Sequence, residues 1–334
     1  MTKPLTSQPP DRRAPAALVA LALGIVYVVW GSTYLAIRIV VEDLPPMASA
    51  SWRYLVAGLL LASILAARSG WRRLAVSRRE LAGSAVVGLL LPALGNGLVT
   101  VGESHGAPSG IAALLVAAVP LWVIVYRAAS GDRAPVRTTV GALLGFAGLV
   151  VLVTATGIDG DVQIGACLVI VSASIFWSFG SWSMPRLSVP ADAFVLTVYE
   201  MLFGSAFLLL FASLRGEHVL PAAAPLDAWL AWTYLVTFGS VVAFTAYVWV
   251  LSVAPISLVA TYAYVNPVVA VLLGWLILAE PVTPAILAGG AVVVAAVAVV
   301  VASERHPSRP AGPPSPGAAP PQASEASQAS WRSE

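Results

Sequence analysis

The stretch "IAALLVAAVPLWVIVY", Ile111 to Tyr126, carries no charge on any face. A helix built from it is apolar all round. A helix on a soluble surface shows an apolar stripe and a polar face, so this one belongs in a large core or in lipid. "LAGGAVVVAAVAVVVA", Leu287 to Ala302, repeats the pattern late in the chain. Both runs approach the ~20 residues that cross a bilayer core. Composition favours lipid, with 59% of residues hydrophobic and 10% charged, where soluble domains hold about 25% charged residues. The single cysteine, Cys167, lies in another such run and has no partner for an intramolecular disulfide. No Cys/His spacing suits a metal, so neither a metal nor a cofactor is expected.

Working outward, the apolar runs give ten expected spans: 16–37, 47–67, 81–102, 108–127, 137–156, 163–183, 193–214, 228–251, 256–279 and 284–302. The first is long and lacks a cleavage site followed by a soluble domain, so it reads as a retained helix and not a signal peptide. Residues 1–15 read as a short N-terminal tail, and 303–334, rich in Pro, Ser and Ala, as a disordered one. The basic residues set the orientation. Lys3, Arg12, Arg13, Arg68, Arg72, Arg73, Arg78, Arg79, Arg127, Arg133, Arg137, Arg186, Arg305, Arg309 and Arg332 fall on one side. Arg38 and Arg215 fall on the other, among Glu42, Asp43, Glu103, Asp159, Asp161 and Glu217. Both termini are therefore expected in the cytoplasm. The dominance of arginine over lysine, with high Ala, Gly and Pro, suits a GC-rich bacterial genome and hence a bacterial inner membrane.

The halves resemble each other at a nearly fixed offset. Trp30 and Trp177, Ala107-Pro108 and Ala254-Pro255, and Pro120 and Pro267 are all 147 residues apart. Asp132 and Glu280, and Gly141 and Gly289, are 148 apart. The repeats are thus 16–156 and 163–302. Five helices per half is an odd number, so the second copy enters the membrane from the opposite side. That is the inverted-repeat plan of many secondary transporters, whose substrate site lies near the midplane between the halves. The expected fold is an all-α polytopic membrane protein of ten transmembrane helices in two inverted five-helix repeats.

At these residues the chain resembles the drug/metabolite transporter superfamily, in particular its EamA-like branch. The resemblance is carried by "VYVVWGSTYLAIR" (26–38), "ASWRYLVAG" (50–58) and "APISLVATYAYVNPVVAVLLGWLILAEPVTPAILAGGAVV" (254–293), and covers roughly 16–302. In that family the fourth and ninth helices typically carry a mid-helix proline and end in a Gly-Glu-Arg-like sequence. Pro120 and Pro267 fit. Gly131-Asp132-Arg133 has Asp for Glu, and Ala279-Glu280-Pro281 lacks the glycine and the arginine. The resemblance implies ten helices and the export or exchange of small metabolites, often amino acids.

Ionisable residues inside a membrane are costly and mark functional candidates. Two lie well inside spans, Arg53 and Glu200, again 147 residues apart and preceded by Trp52 and Tyr199. The planar fork of Arg53 suits a carboxylate. Glu200 suits an ammonium group, or a proton that couples transport to a gradient. Together they would fit a zwitterion, though each charge equally suits helix packing. Tyr27, Trp30 and Tyr34 share one face of the first helix, with Gly31 and Ser32 allowing close helix approach. Ser174, Trp177 and Ser178 form a similar stripe in the sixth. Asn96, Tyr262 and Asn266 complete the candidate substrate contacts. Pro120 and Pro267 each deprive a carbonyl, that of Val116 or Ala263, of its helical donor and are candidate hinges. Glu103, at the end of the third helix, is a second coupling candidate, placed near the outward mouth. Asp132 and Glu280 read as caps on the following helices.

The expected partners are a small-molecule substrate, the bilayer, and a coupling proton or counter-substrate, with no nucleic acid. The leading function is a secondary exporter or exchanger of small polar metabolites such as amino acids. Efflux of drugs or organic cations by the same fold, and a non-transport scaffold or lipid-handling role, are the alternatives. No Walker-type run supplies an ATPase. "GESHG", 102–106, matches a nucleophile elbow, but an elbow needs a strand before it. A helix precedes it here, and His105 is expected not to turn onto Ser104, so no enzyme is expected.

Overall fold

A computed structural model describes residues 14–107, 109–132, 134–156, 164–220, 223–278 and 284–305. Pro108, Glu280 and nearly all of both expected tails lie outside the described residues. Among those described, the regular structure is entirely helical.

The first half begins with α1 (Ala16–Asp43) and α2 (Pro46–Ser69). α1 runs past its expected end at 37. Arg38 pairs with Glu42 one turn on, at 3.1 Å, and the helix stops where Leu44 meets Pro45. A residue before proline is pushed out of the α region, and Leu44 adopts φ −117° and ψ 145°. Pro46 then opens α2 at a position where its missing N–H costs nothing. α3 (Arg78–Gly88) starts on a capping box: Ser77 Oγ accepts from Glu80 N–H and the Glu80 carboxylate from Ser77 N–H. It runs on through a π-helical segment, Leu89–Asn96, into α4 (Gly97–Ser104). The fourth expected span is two helices, α5 (Ser109–Val116) and α6 (Val119–Ala129), followed by α7 (Val136–Thr156).

The second half repeats this order. α8 (Ile164–Ser183) and α9 (Ala193–Leu214) precede α10 (Leu226–Tyr234), a π-helical segment Leu235–Phe244, and α11 (Thr245–Val253). Two helices again form the ninth expected span, α12 (Ile256–Val259) and α13 (Tyr262–Leu278), before α14 (Pro284–Arg305). The π segments sit at matching places in the two copies. Only the first contains a proline, Pro92.

Among the described residues, six stretches are long and apolar enough to cross a membrane: Ala16–Asp43, Pro46–Ser69, Arg78–Ser104, Ile164–Arg186, Ala193–Leu214 and Leu226–Val253. α1 packs on α13 and on the Leu226–Val253 rod. α8 packs on α5, α6 and the Arg78–Ser104 rod. α2 packs on α9, and α7 on α14. Exchanging the two halves maps this pattern onto itself.

The breaks differ from the expected kinks. Pro120 is not a bend within one helix but the second residue of α6. It follows a break at Ala117-Ala118, because a proline is tolerated only in the first turn. Pro267 does lie within a helix, and the break there falls earlier, at Ala260-Thr261. The two breaks are therefore not equivalent in the repeat. The Asp132 carboxylate, just before α7, takes Arg127 at 3.0 Å.

Candidate functional site

An aromatic cluster marks the middle of the bundle, where α1 and α8 meet. Trp30 and Trp177, equivalent in the repeat, stand edge to face with centroids 5.4 Å apart. Tyr247 lies 4.9 Å and Tyr262 5.1 Å from Trp30. Hydrogen bonds fix the rings. Trp30 Nε1 donates to the Gly239 carbonyl at 3.1 Å, inside the second π segment. Trp177 Nε1 donates to the Tyr247 hydroxyl at 3.1 Å, which also pairs with Ser181 Oγ at 2.5 Å. A π segment widens the ladder and re-aims its groups, and such segments recur at functional sites. Gly31 lets α13 come close to Trp30: a Cβ there would lie 2.6 Å from Val269 Cβ.

Beside this cluster lies a partly open cavity with a volume of about 50 Å³. α1 contributes Trp30, Thr33, Tyr34 and Ile37 to its wall; α2 gives Arg53 and Tyr54. Gly95, Asn96, Val99 and Val116 come from the third and fourth spans. The second half gives Ala173, Ser174, Trp177, Phe244, Tyr262 and Asn266. Seven of the expected substrate contacts thus meet on one wall: Trp30, Tyr34, Arg53, Asn96, Trp177, Tyr262 and Asn266. Three do not line it. Ser32 donates to the Val29 carbonyl and pairs with the Tyr234 hydroxyl at 2.5 Å. Ser178 is buried, donating to the Ser174 carbonyl at 2.5 Å and reaching the Val119 carbonyl at the α5–α6 break at 3.4 Å. Glu200 is fully buried on α9 and belongs to no wall of this cavity.

Arg53 is the one charge among the described lining residues. Its Nε donates to Ser240 Oγ at 2.7 Å and its Nη1 reaches Asn96 Oδ1 at 3.4 Å. The guanidinium carbon stands 4.9 Å from the Tyr54 ring centroid. These neutral groups orient the fork without cancelling its charge. The Asn266 amide meets the Tyr34 hydroxyl, while its Oδ1 is buried with no hydrogen-bond partner among the described residues. The wall therefore offers a cation, an unused acceptor and aromatic faces to one ligand.

A small gap of about 10 Å³, room for roughly one water, adjoins this cavity. It shares Arg53 and Ile37 with the cavity and adds Val40, Ser49, Ala50, Thr100, Trp232 and Leu235. All of these lie toward the end of the bundle where α1 stops and α2 starts. Trp232 closes it with an Nε1 bond to the Ser49 carbonyl at 3.0 Å.

Glu103 is not at an open mouth, as its place at the helix end suggested. It is fully buried, and neither of its carboxylate oxygens nor those of Glu200 has a hydrogen-bond partner among the described residues. Arg38 Nη1 donates to the Glu103 carbonyl at 3.2 Å, not to its side chain. His105 departs from expectation too. Its Nδ1 lies 3.2 Å from Ser104 Oγ. Yet the same Nδ1 lies 2.8 Å from the Val101 carbonyl, to which Ser104 Oγ also donates. An Nδ1 that donates to a carbonyl has no lone pair to take the serine proton, so the pair is no activated nucleophile.

Sequence reasoning missed Thr33, Ile37, Tyr54 and Phe244 as lining residues, and Ser240 as the partner of Arg53. Tyr54, beside Arg53, carried a faint signal. The others read as ordinary apolar or small helix residues.

A doubled helical bundle with a central cavity, aromatic faces and one oriented charge has the architecture of a multi-pass membrane transporter. The chain belongs to the EamA-like transporter family, of the drug/metabolite transporter superfamily, which matches it twice, over 17–154 and 164–302. The family is one of transporters, not enzymes. The chain is 39% identical over 290 residues to the "uncharacterized inner membrane transporter YedA" of Escherichia coli (strain K12), covering 86% of this chain and 92% of that protein. It is 28% identical over 284 residues to a "probable terminal-alkyne amino-acid exporter" of Streptantibioticus cattleyicolor, covering 84% of this chain and 92% of that one. A solved crystal structure shares the fold, with a TM-score of 0.69 and 21% identity over 87% of this chain and 99% of that one.

Proposed function

We propose that the protein is a secondary transporter that exports or exchanges small polar metabolites, namely amino acids or related compounds. Transport runs by alternating access between two inverted five-helix repeats, ten helices in all, in a bacterial inner membrane with both termini cytoplasmic. Support for the topology comes from the odd helix number per repeat, the exchange symmetry of the packing and the one-sided arginines. The related YedA carries "inner membrane" in its name, and a more distant relative carries "amino-acid exporter".

The observation that carries the substrate reading is Arg53. A guanidinium in the cavity wall favours an anionic group, and its two-pronged donors match a carboxylate. Asn266 Oδ1 supplies an acceptor for a substrate N–H or O–H, and the aromatic faces take an apolar remainder. Organic cations also suit aromatic walls, but an uncompensated arginine repels them. Glu200 and Glu103, the buried carboxyls, are the groups assigned to coupling with a proton or counter-substrate.

Purified protein screened for thermal stabilisation by amino acids, nucleosides, sugars and organic cations tests this. Carboxylate-bearing compounds are expected to stabilise the native chain and to lose that effect with Arg53→Gln. Stabilisation by organic cations alone, or an equal response from Arg53→Gln, would sink the carboxylate reading.

A further inference from the structure

The two halves share their contacts but not their openings. The smaller space joins the main cavity at Arg53 and Ile37, between Ser49, Thr100 and Leu235. In the other repeat, 147 residues away, the corresponding positions are Glu200, Met184, Leu196, Tyr247 and Gly88. All five are buried, as are their counterparts, and none borders that space. Arg53 borders both spaces and Glu200 neither.

The sequence supplies a reason for the difference. A Cβ on Gly88 would lie 2.8 Å from the Glu200 carbonyl oxygen, and one on Gly204 would lie 2.3 Å from Pro92 Cγ. α9 and the Arg78–Ser104 rod therefore approach backbone to backbone, as small residues permit in membranes. At the opposite end Leu235 stands where Gly88 stands here, and its side chain borders the open space. Glu200 is left with two buried, unpartnered carboxylate oxygens among the described residues. A buried charge without partners is expensive where it stands, which points to a partner it meets in another arrangement. Arg53, its repeat equivalent, is already oriented by Ser240 and Asn96.

We infer that Glu200 is the binding group of a second, cytoplasm-facing half-site, which opens when the second repeat takes the arrangement now held by the first and which holds a cationic group such as an ammonium. The inference rests on the inverted-repeat reading proposed above. The charge facing the substrate then changes sign through the cycle. Arg53 holds a carboxylate in the outward-open arrangement, and Glu200 holds an ammonium in the inward-open one. A zwitterion is gripped by opposite ends on opposite sides.

A membrane-impermeant maleimide applied to one face of oriented vesicles reads this in a Cys167→Ala background. With Glu200→Cys, the introduced thiol is expected to react roughly tenfold faster from the cytoplasmic face than from the outer face. With Arg53→Cys the preference reverses. Gly88→Ala, which wedges the inner contact, raises cytoplasmic labelling of the Glu200→Cys chain several-fold and lowers outer labelling of the Arg53→Cys chain. Outer-face labelling of the Glu200→Cys chain, or none from either face in protein that elutes as folded, overturns the proposal. If Gly88→Ala does not fold, the inside-to-outside ratio for Glu200→Cys alone decides. Flux through the unsubstituted chain is measured in the same vesicles. Flux without cytoplasmic labelling defeats the Glu200 assignment alone, whereas absent flux defeats the transport reading itself.

Discussion

A single side chain, Arg53, gives the cavity its sign. Hydrogen bonds to charged groups contribute about 1.5–3 kcal/mol each, so Arg53→Gln should weaken uptake of a carboxylate substrate by about 10- to 100-fold. Arg53→Lys keeps the charge but loses the planar fork and should recover only part of it. Ser240→Ala removes the 2.7 Å anchor on Nε and should cost only a few-fold, through orientation. Concentration-dependent flux in proteoliposomes separates these cases: equal loss in all three would mean that the site collapses and is not selective. At the same scale, Ser104→Ala should leave flux unchanged, and a serine-directed phosphonate should not label the native chain. The offset of 147 residues made Arg53 and Glu200 legible as a pair. What it did not reveal is that Arg53 borders the cavity and Glu200 does not. That difference comes from the packing of the helices around each, which no single residue encodes.

Helices were legible as apolar runs, but their ends were not: α1 continues to Asp43, before Pro45, where 37 was expected, and α3 starts at Arg78 on the Ser77–Glu80 box, where 81 was expected. The interruptions were read less well. Pro92 marks the first π segment, but the second has no proline; tertiary packing and the Trp30 bond to Gly239 accompany it. The ninth span breaks at Ala260-Thr261, two turns before the proline that was expected to bend it. Close helix approach is the part of element packing that sequence does encode, through glycine. Gly31→Ala would set a Cβ 2.6 Å from Val269 Cβ and 3.1 Å from the Asn266 carbonyl oxygen. Overpacking of this kind costs about 1–3 kcal/mol, so the melting temperature should fall. Gly24→Ala on the same helix meets nothing within 4 Å and should be neutral or stabilising by up to about 1 kcal/mol. Thermal unfolding in detergent compares the two; equal melting temperatures would mean that α1 and α13 separate easily.

For the whole molecule, the question is which parts move against which. α2 and α9 are exchanged by the repeat, so they meet across its axis, and they are tied together at both ends. At one end Arg73 pairs with Asp192 at 2.8 Å, and the Tyr199 hydroxyl donates to the Leu74 carbonyl at 2.6 Å. At the other, one carboxylate oxygen of Glu217 accepts the N–H groups of Met47 and Ala48, both at 3.0 Å, capping α2 from the other repeat. Between the ends, Ser51 Oγ meets Ser205 Oγ at 3.1 Å. A pair laced at both ends and in the middle behaves as a fixed spine. On the alternating-access mechanism proposed above, the aromatic-bearing α1 and α8, with the rods that carry the π segments, are expected to rock around it. Glu217→Ala, by freeing two helix-start donors, should lower stability by about 0.5–2 kcal/mol without abolishing flux. A disulfide across the spine is the sharper test. Ser51→Cys with Ser205→Cys, in a Cys167→Ala background, should oxidise readily and leave flux within about twofold of the reduced form. Loss of flux on oxidation, restored by reductant, would show instead that α2 and α9 slide past each other in every cycle, and the moving boundary would have to be redrawn through the middle of the bundle.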